Sequence, residues 1–339
     1  MSTMASSWCL RAGARAPPPE AQAMPNSSSP AAAQDDAVAV IVPCYDSADT
    51  LAETLESVLA QEGPLEIIVV DDGSRDESLA VARRFEPRVR VVSGPNRGAS
   101  AARNRGVDET QSPWILFLDA DDLIEPGTLS RRLETARASG ADVIVCDWRE
   151  FSGQPAEGVT RSLDWTAIRR DAEHAIAAGA WATTAAILYR RALVERIGGF
   201  RADLPVIQDA RFFFDAAAAG GRFAHSPHLG ASYRLRPQSL SRRDPTRFLL
   251  DILSNGKQIE ESWRGRNVLD DMRLQALMGV YNVAGRGLFS LGHEQWFEAV
   301  AAQRSLGLPL PRHSRVMEPL ARMIGLRPAR LLGALAKVA

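Results

Sequence analysis

Apolar residues in this chain gather in short unbroken blocks rather than long alternations. VAVIV at 38–42, LEIIVV at 65–70 and WILFL at 114–118 have the continuous apolar character of strands covered on both faces of a sheet. Between the blocks the spacing becomes helical, with Leu51, Leu55, Val58 and Leu59 on one stripe and Leu79, Val81 and Ala82 on another. Thr50-x-x-Glu53 and Ser74-x-x-Glu77 precede these stripes and read as capping boxes, and Gly63-Pro64 reads as a helix stop. The expected order is strand 39–42, helix 50–61, strand 65–70, helix 74–85 and strand 89–92. Right-handed crossovers make such a series a parallel sheet, so the fold class is α/β.

Later in the chain the periodicity is helical throughout. Residues 247–262, 272–291 and 294–305 carry helical apolar spacing, and 312–339 adds two shorter helices separated at Arg327-Pro328. The block 175–189 falls short of the roughly 20 residues a bilayer requires, and reads as a helix end followed by a buried strand. Residues 1–36 are rich in Ala, Pro and Ser, with PPP and SSS runs and no apolar signal-peptide core. They are expected to be disordered, with Met4 or Met24 as alternative starts. The expected organisation is a disordered 1–36, an α/β domain at 37–243 with halves 37–126 and 127–243, and a helical region at 244–339.

Composition narrows the function classes. The 339 residues carry a net charge of −1, so no global field favours nucleic acid or membrane. Cys9, Cys44 and Cys146 lie far apart without a CxxC pair, which excludes a disulfide framework or a cysteine zinc site and fits a reducing, cytoplasmic setting. His225 and His228 flank a Pro-containing turn, a poor arrangement for a ligand pair.

Each apolar block ends in acid: Asp46 after the first, Asp71 and Asp72 after the second, and Asp119, Asp121 and Asp122 after the third. Ligands of open parallel sheets bind beyond the carboxyl ends of the strands, so these acids share one rim. Clustered carboxylates repel unless a cation or hydrogen-bond donors neutralise them. Hard oxygen ligands suit Mg or Mn, which complete their shell with substrate phosphate and water. The alternative role for any one Asp is a turn former or cap. On an extended strand end Asp119 and Asp121 would point to one side, making Asp119-Ala120-Asp121 the metal-binding candidate. Gly98 to Asn104 follows a strand and offers a helix N-terminus to an anion. Arg97 and Arg103 there can meet either phosphate or the acidic rim.

The ordered set Pro43 and Tyr45, Asp71-Asp72-Gly73-Ser74, Asn96-Arg97-Gly98 with Ala102-Arg103-Asn104, Asp119-Ala120-Asp121-Asp122, Gly198-Gly199-Phe200, Gln208-Asp209 and Tyr233-Arg234 through Ser239 resembles the inverting family 2 glycosyltransferases of the glycosyltransferase-A fold. The resemblance covers about 200 residues, 38–241, and implies a Rossmann-like sheet with flanking helices and a helical C-terminal extension. It implies metal-dependent, inverting transfer of one sugar from a nucleotide-diphosphate sugar, with uridine or thymidine diphosphate favoured. The acceptor would be a hydroxyl of a glycan, a lipid-linked glycan or a small molecule.

Residue by residue, the resemblance implies that Asp71 or Asp72 reads the base or ribose, with Pro43 and Tyr45 close by. Arg97, Gly98 and Arg103 would lie along the donor, although Arg103 and Asn104 can equally hold the Asp119 loop. Asp119 would approach ribose or metal, Asp121 would bind the divalent metal, and Gly199-Phe200 would border the acceptor pocket. Asp209 would be the general base, with Arg234 and Arg236 in a loop over diphosphate or acceptor.

Two positions depart from the family pattern: Gln208 stands where Glu is usual, and Arg236 where His is usual. These leave open a non-catalytic nucleotide-sugar-binding or scaffold protein. A nucleotidyltransferase would require a Gly-rich basic loop after the first strand, which Cys44-Tyr45-Asp46-Ser47 is not. The absence of a QxxRW-type motif and of transmembrane hairpins argues against a processive synthase. The basic C-terminal helices are compatible with a peripheral contact at the inner membrane face, or with a solvated face or homodimer contact.

Overall fold

A computed structural model describes residues 35–236, 239–310 and 312–335. The expected disorder of 1–36 therefore lies outside the described residues, apart from Asp35 and Asp36. The chain packs as two units. One holds the residues up to Ala172 with Trp181–Ala202 and Phe212–Arg236, and the other holds Glu173–Ala180, Asp203–Arg211 and 237 onward.

The first unit is built on a nine-stranded mixed sheet. Its parallel half contains β1 (Val38–Cys44), β2 (Leu65–Asp71), β3 (Arg90–Ser93) and β4 (Trp114–Phe117), ordered β3-β2-β1-β4. The apolar blocks become these strands because both their faces are covered: Ala39, Val40, Ile41 and Val42 are wholly buried. α1 (Leu51–Leu59) connects β1 to β2, α2 (Ser78–Arg83) connects β2 to β3, and α3 (Ala99–Asp108) connects β3 to β4. Ala102 of α3 joins Ala39, Ile68, Val70 and Val92 in one cluster that seats this helix on the sheet.

Beyond β4 come β5 (Leu123–Ile124), α4 (Thr128–Ser139), β6 (Val143–Phe151), β7 (Val159–Arg161), α5 (Trp165–Arg170), α6 (Ala172–Ala177), β8 (Ile187–Arg190), α7 (Arg191–Ile197), α8 (Gln208–Ala218) and β9 (Phe223–Arg234). The sheet continues β4-β8-β6-β9-β5, with β8 antiparallel to both neighbours and β6 parallel to β9. The parallel order expected for the first three strands holds, and β8 makes the whole sheet a mixed one. An apolar run marks burial but carries no direction.

Two local expectations also change. Thr50 does not cap α1: its hydroxyl donates to Ala120 O at 2.9 Å. Ser74 does not begin a helix; α2 starts at Ser78, and the Ser74 hydroxyl accepts from Asp46 N at 3.2 Å. In both places a long-range partner takes the side chain that a capping box would use.

The second unit is helical: α9 (Leu240–Arg243), α10 (Pro245–Gly265), α11 (Asp271–Leu291), α12 (Trp296–Ser305), α13 (Arg312–Ile324) and α14 (Leu326–Leu335). Its core holds Trp263, Tyr281, Trp296, Leu277 and Leu288. Tyr281 donates to Glu260 at 2.6 Å, and Trp263 Nε1 to Glu173 at 2.6 Å. The last two helices separate at Gly325 (φ +89°), not at Arg327-Pro328. Glycine takes the left-handed cap, and Pro328 sits harmlessly in the first turn of α14, where its missing N–H has no partner to lose.

Candidate functional site

Two acidic turns stand at the carboxyl ends of β2 and β4, the strands on either side of β1. The first, Asp71 to Ser74, ends β2. Asp72 accepts from the backbone N–H of Arg97 and of Gly98, both at 2.8 Å. Asp71 accepts from Ser74 N and the Ser93 hydroxyl, each at 3.2 Å. Gly73 has φ +74°, and a Cβ there would lie 2.8 Å from Asn96 N. Only glycine allows the β2 turn to press against the loop that follows β3. Asp72 thus occupies the Arg97 and Gly98 amides, which precede the first turn of α3.

Tyr45 and Pro43 lie at the end of β1 on the same rim, half-buried. The Arg75 guanidinium lies 5.5 Å from the Tyr45 ring centre and bonds Asp46 at 2.7 Å. Arg75, through backbone and side-chain hydrogen bonds, holds the Asp46 carboxyl below its usual range. Asp46 is therefore spoken for by a surface ion pair.

The second turn, Asp119 to Asp122, follows β4. Asp122 N bonds Asp119 O at 3.0 Å, so the segment is a tight turn and not the extended strand end expected from the apolar block. The three carboxylates have different surroundings. Asp119 pairs with Arg103, whose buried guanidinium also lies 5.2 Å from the centre of the Phe200 ring. Asp122 is fully buried and accepts from Thr183 Oγ1 at 3.2 Å and Arg234 N at 2.9 Å. Burial, reinforced by Asp119 and Asp121, raises its pKa well above the ordinary value. Asp121 has a weaker partner, Arg236 Nη1 at 3.8 Å. Burial and then Asp119 push its pKa up to about 6, against the opposing pull of Arg236 and Arg234.

Arg234 and Arg236 close this turn from the end of β9. Arg234 Nε donates to Asp121 O at 2.9 Å, and its Nη2 to Glu53 at 2.5 Å. Arg236 pairs with Asp49 as well as facing Asp121. Glu53 was read as half of a capping box, and Asp49 was not singled out. Both are recruited across more than 180 positions of sequence, with no local pattern to announce it. Thr183, beneath Asp122, was likewise not marked as part of the site.

The turn Gly198-Gly199-Phe200 follows α7. Asn104 clasps it, accepting from Phe200 N at 2.7 Å and donating to Phe200 O at 2.9 Å. Gly199 has φ +88°, and a Cβ would lie 2.6 Å from Asn104 Oδ1. Phe200 stacks on Phe212 at 4.1 Å with an interplanar angle of 7°. Of the two roles open to Arg103 and Asn104, Arg103 holds the Asp119 turn while Asn104 holds the glycine turn.

Gln208 and Asp209 open α8, and their segment, 203–211, belongs to the second unit. There α10 grips it. Asp251, buried, accepts from Val206 N at 2.8 Å and from Arg247 Nε at 2.8 Å. Arg247 Nη2 donates to Asp203 O at 3.0 Å, and Gln258 donates to the Asp203 carboxylate at 2.9 Å. Arg211 donates to Asn255 at 3.0 Å and to Gln258 at 2.8 Å.

A divalent cation fits the second turn as one donor among several. Among the described residues no group of three His, Cys, Asp or Glu side chains could hold a metal by itself. Asp121 is nevertheless a carboxylate short of neutralising partners, its pKa raised by burial beside another acid. Mg or Mn held by one carboxylate, with diphosphate and water completing the shell, matches that donor set.

The mixed sheet with its flanking helices has a GT-A-like fold. Residues 39–198 match the family model for glycosyl transferase family 2, so this segment is a domain of that family. Succinoglycan biosynthesis protein ExoO of Rhizobium meliloti (strain 1021) is 35% identical over 223 residues, 60% of this chain and 62% of that protein. The chain thus spans less than two thirds of that relative. Among solved structures, S. aureus TarS 1-349 in complex with UDP-GlcNAc superposes with a TM-score of 0.65 at 20% identity, covering 89% of this chain and 91% of that one. The mannosyltransferase PcManGT from Pyrobaculum calidifontis, in complex with GDP-Man and Mn2+, gives a TM-score of 0.53 at 21% identity, covering 88% and 86%. At these identities the likeness is one of fold.

Proposed function

We propose that this chain transfers a single sugar, with inversion, from a uridine- or thymidine-diphosphate sugar to a hydroxyl of a growing glycan or lipid-linked glycan. The observation that carries the reading is the pair of acidic turns on one rim of a family 2 domain: one saturated by backbone amides, the other holding an under-neutralised carboxylate. Asp71, with Pro43 and Tyr45, recognises the base and ribose. Asp72 shapes the Arg97-Gly98 loop that borders the donor. Asp121 is the protein ligand for Mg or Mn, and Asp119, steadied by Arg103, lies beside it. The metal, when bound, supplies positive charge to the diphosphate leaving group.

In the transfer step Asp209 accepts the proton of the acceptor hydroxyl, and the acceptor oxygen attacks the anomeric carbon as its bond to diphosphate breaks. A single displacement inverts the anomeric centre. Arg234 and Arg236 present fixed positive charge toward the diphosphate. Gly199 and Phe200 border the acceptor. Asp251, buried under the 203–211 segment, positions Asp209. The glycan acceptor is supported by the naming of ExoO as a succinoglycan biosynthesis protein, and the uridine donor by the UDP-GlcNAc complex of TarS.

The test is a panel of nucleotide-sugars with Mn2+, read by release of nucleoside diphosphate in the presence of acceptor glycans. Asp209→Asn keeps the side-chain shape but removes the proton acceptor. Transfer should fall about 100-fold or more while nucleotide binding persists. Nucleotide binding with no turnover of any donor by the unaltered chain would instead favour the scaffold reading that Gln208 and Arg236 leave open.

A further inference from the structure

The last two helices turn the wrong faces outward. On α13 the inward residues are Ser314, Glu318 and Ala321, all buried, and Glu318 is clasped by Arg304 at 2.5 Å and Arg322 at 3.0 Å. The opposite face carries Val316, 57% exposed, and Met323, 81% exposed, seven residues and two turns apart. α14 repeats the arrangement: Leu326 and Ala329 are buried, while Leu331, 61% exposed, and Leu332 face outward. Of the nine exposed large hydrophobic side chains among the described residues, five lie between Val316 and Leu332. Single exposed apolar residues are ordinary, but a concentration of them marks a surface that something covers.

The charge around that face is one-sided. Along α13 and α14 the described side chains include Arg315, Arg322, Arg327 and Arg330 against Glu318 alone, and Glu318 is buried in its ion pairs. Arg315 and Arg327 are exposed, and Arg330 bonds Ser290 O at 2.7 Å, close to the exposed Leu291. A second copy of this chain meeting the same face would set Arg315 and Arg327 against the same residues of its partner, with no exposed acid among the described residues of α13 and α14 between them. An anionic bilayer supplies both missing complements, hydrocarbon for the apolar stripe and phosphate for the guanidinium groups.

We infer that the outward face of α13 and α14 seats the protein on an anionic lipid surface, with Val316, Met323, Leu331 and Leu332 in the acyl boundary and Arg315 and Arg327 on the headgroups. This docking stands whether or not Asp209 is the base. The test is co-sedimentation of the full chain with phosphatidylcholine vesicles, with and without phosphatidylglycerol. Binding should require the anionic lipid and weaken at high salt, as screening predicts. The Met323→Asp/Leu331→Asp variant should lose about ten-fold or more of the partitioning, as burying a charge in the acyl boundary demands. Arg315→Gln/Arg327→Gln should lose a smaller share. Unchanged melting and unchanged UDP binding would show that these exposed substitutions leave the fold intact. Binding equal on neutral and anionic vesicles, or absent on both, overturns the inference. So does a concentration-dependent dimer that the Asp substitutions dissociate without any vesicle binding.

Discussion

The two acidic turns look alike in sequence, DDGS and DADD, yet their carboxylates have opposite surroundings. Asp72 has both oxygens on backbone amides, so its charge is neutralised by the chain itself. Asp121 faces an arginine at 3.8 Å and another acid, so its charge is less fully neutralised by the chain. A carboxylate that the fold satisfies builds shape, whereas one that the fold leaves short of donors builds affinity for a ligand. Spacing alone does not distinguish them. What differs is whether a glycine-containing loop brings N–H groups within reach, as the Asn96–Gly98 stretch does for Asp72.

The most severe way to break this contrast is Asp121→Ala. Transfer should fall by about 100-fold or more, or roughly 3 kcal/mol in transition-state stabilisation. The dependence of nucleotide affinity on Mn2+ should largely vanish in calorimetry. Equal affinity with metal and with chelator in the unaltered protein would remove the basis for assigning Asp121.

Asp72→Ala is expected to act through the fold. Losing two hydrogen bonds to a buried charge and freeing two amides should cost about 3 kcal/mol of stability, visible in urea unfolding, with nucleotide binding weakened regardless of base. Asp71→Asn should instead blur the preference for uridine at nearly unchanged stability. Should the two variants behave identically, the proposed division between shaping and reading is wrong.

Asp251→Asn sits further from the comparison and should have a smaller effect. It weakens the grip on Val206 and Arg247, so kcat should drop about ten-fold with nucleotide affinity unchanged. The KM for nucleotide separates it from Asp121→Ala.

The smallest expected effect sharpens any pH measurement on either turn. Burial, then Arg132 and Arg131, lowers the His228 pKa to about 4, with Thr128 and Ser226 hydroxyls at 3.0 and 3.1 Å. The folded state favours neutral imidazole. Stability from this group is complete above the unfolded value near 6.5 and is lost as pH falls toward 4. Its partial exposure limits the loss to about 1–2 kcal/mol. His228→Gln should flatten that part of a thermal-melting profile. An unchanged profile would show that the acid sensitivity arises elsewhere.

Much of the parallel half was legible because continuous burial leaves a continuous apolar run: β1, β2 and β4 fall on the three blocks. The acids at their ends and the start of α8 were legible for the same reason, since strand ends and helix starts have local signatures. Less could be read where a side chain's partner is distant. Thr50 and Ser74 have perfect local reasons to cap helices, but Ala120 and Asp46 claim them. The direction of β8 leaves no mark on its composition. Glu53, Asp49 and Thr183 reach the second acidic turn or the arginines beside it, and Asp251 reaches the 203–211 segment, through folding alone, and no spacing rule would select them.

Arg103 and Asn104 are consecutive on α3, about 100° apart around its axis, and each is fastened to a different turn: Asp119 by the first, Phe200 by the second. Two pins at different azimuths fix the rotation of a cylinder as well as its position. One residue inserted or deleted within 97–102 would turn the helix by that same angle and withdraw both side chains at once. The distance in sequence from Asp72's anchored loop to these two residues therefore works as an angular gauge, in which length of chain is converted into the orientation of two turns that lie far apart along it.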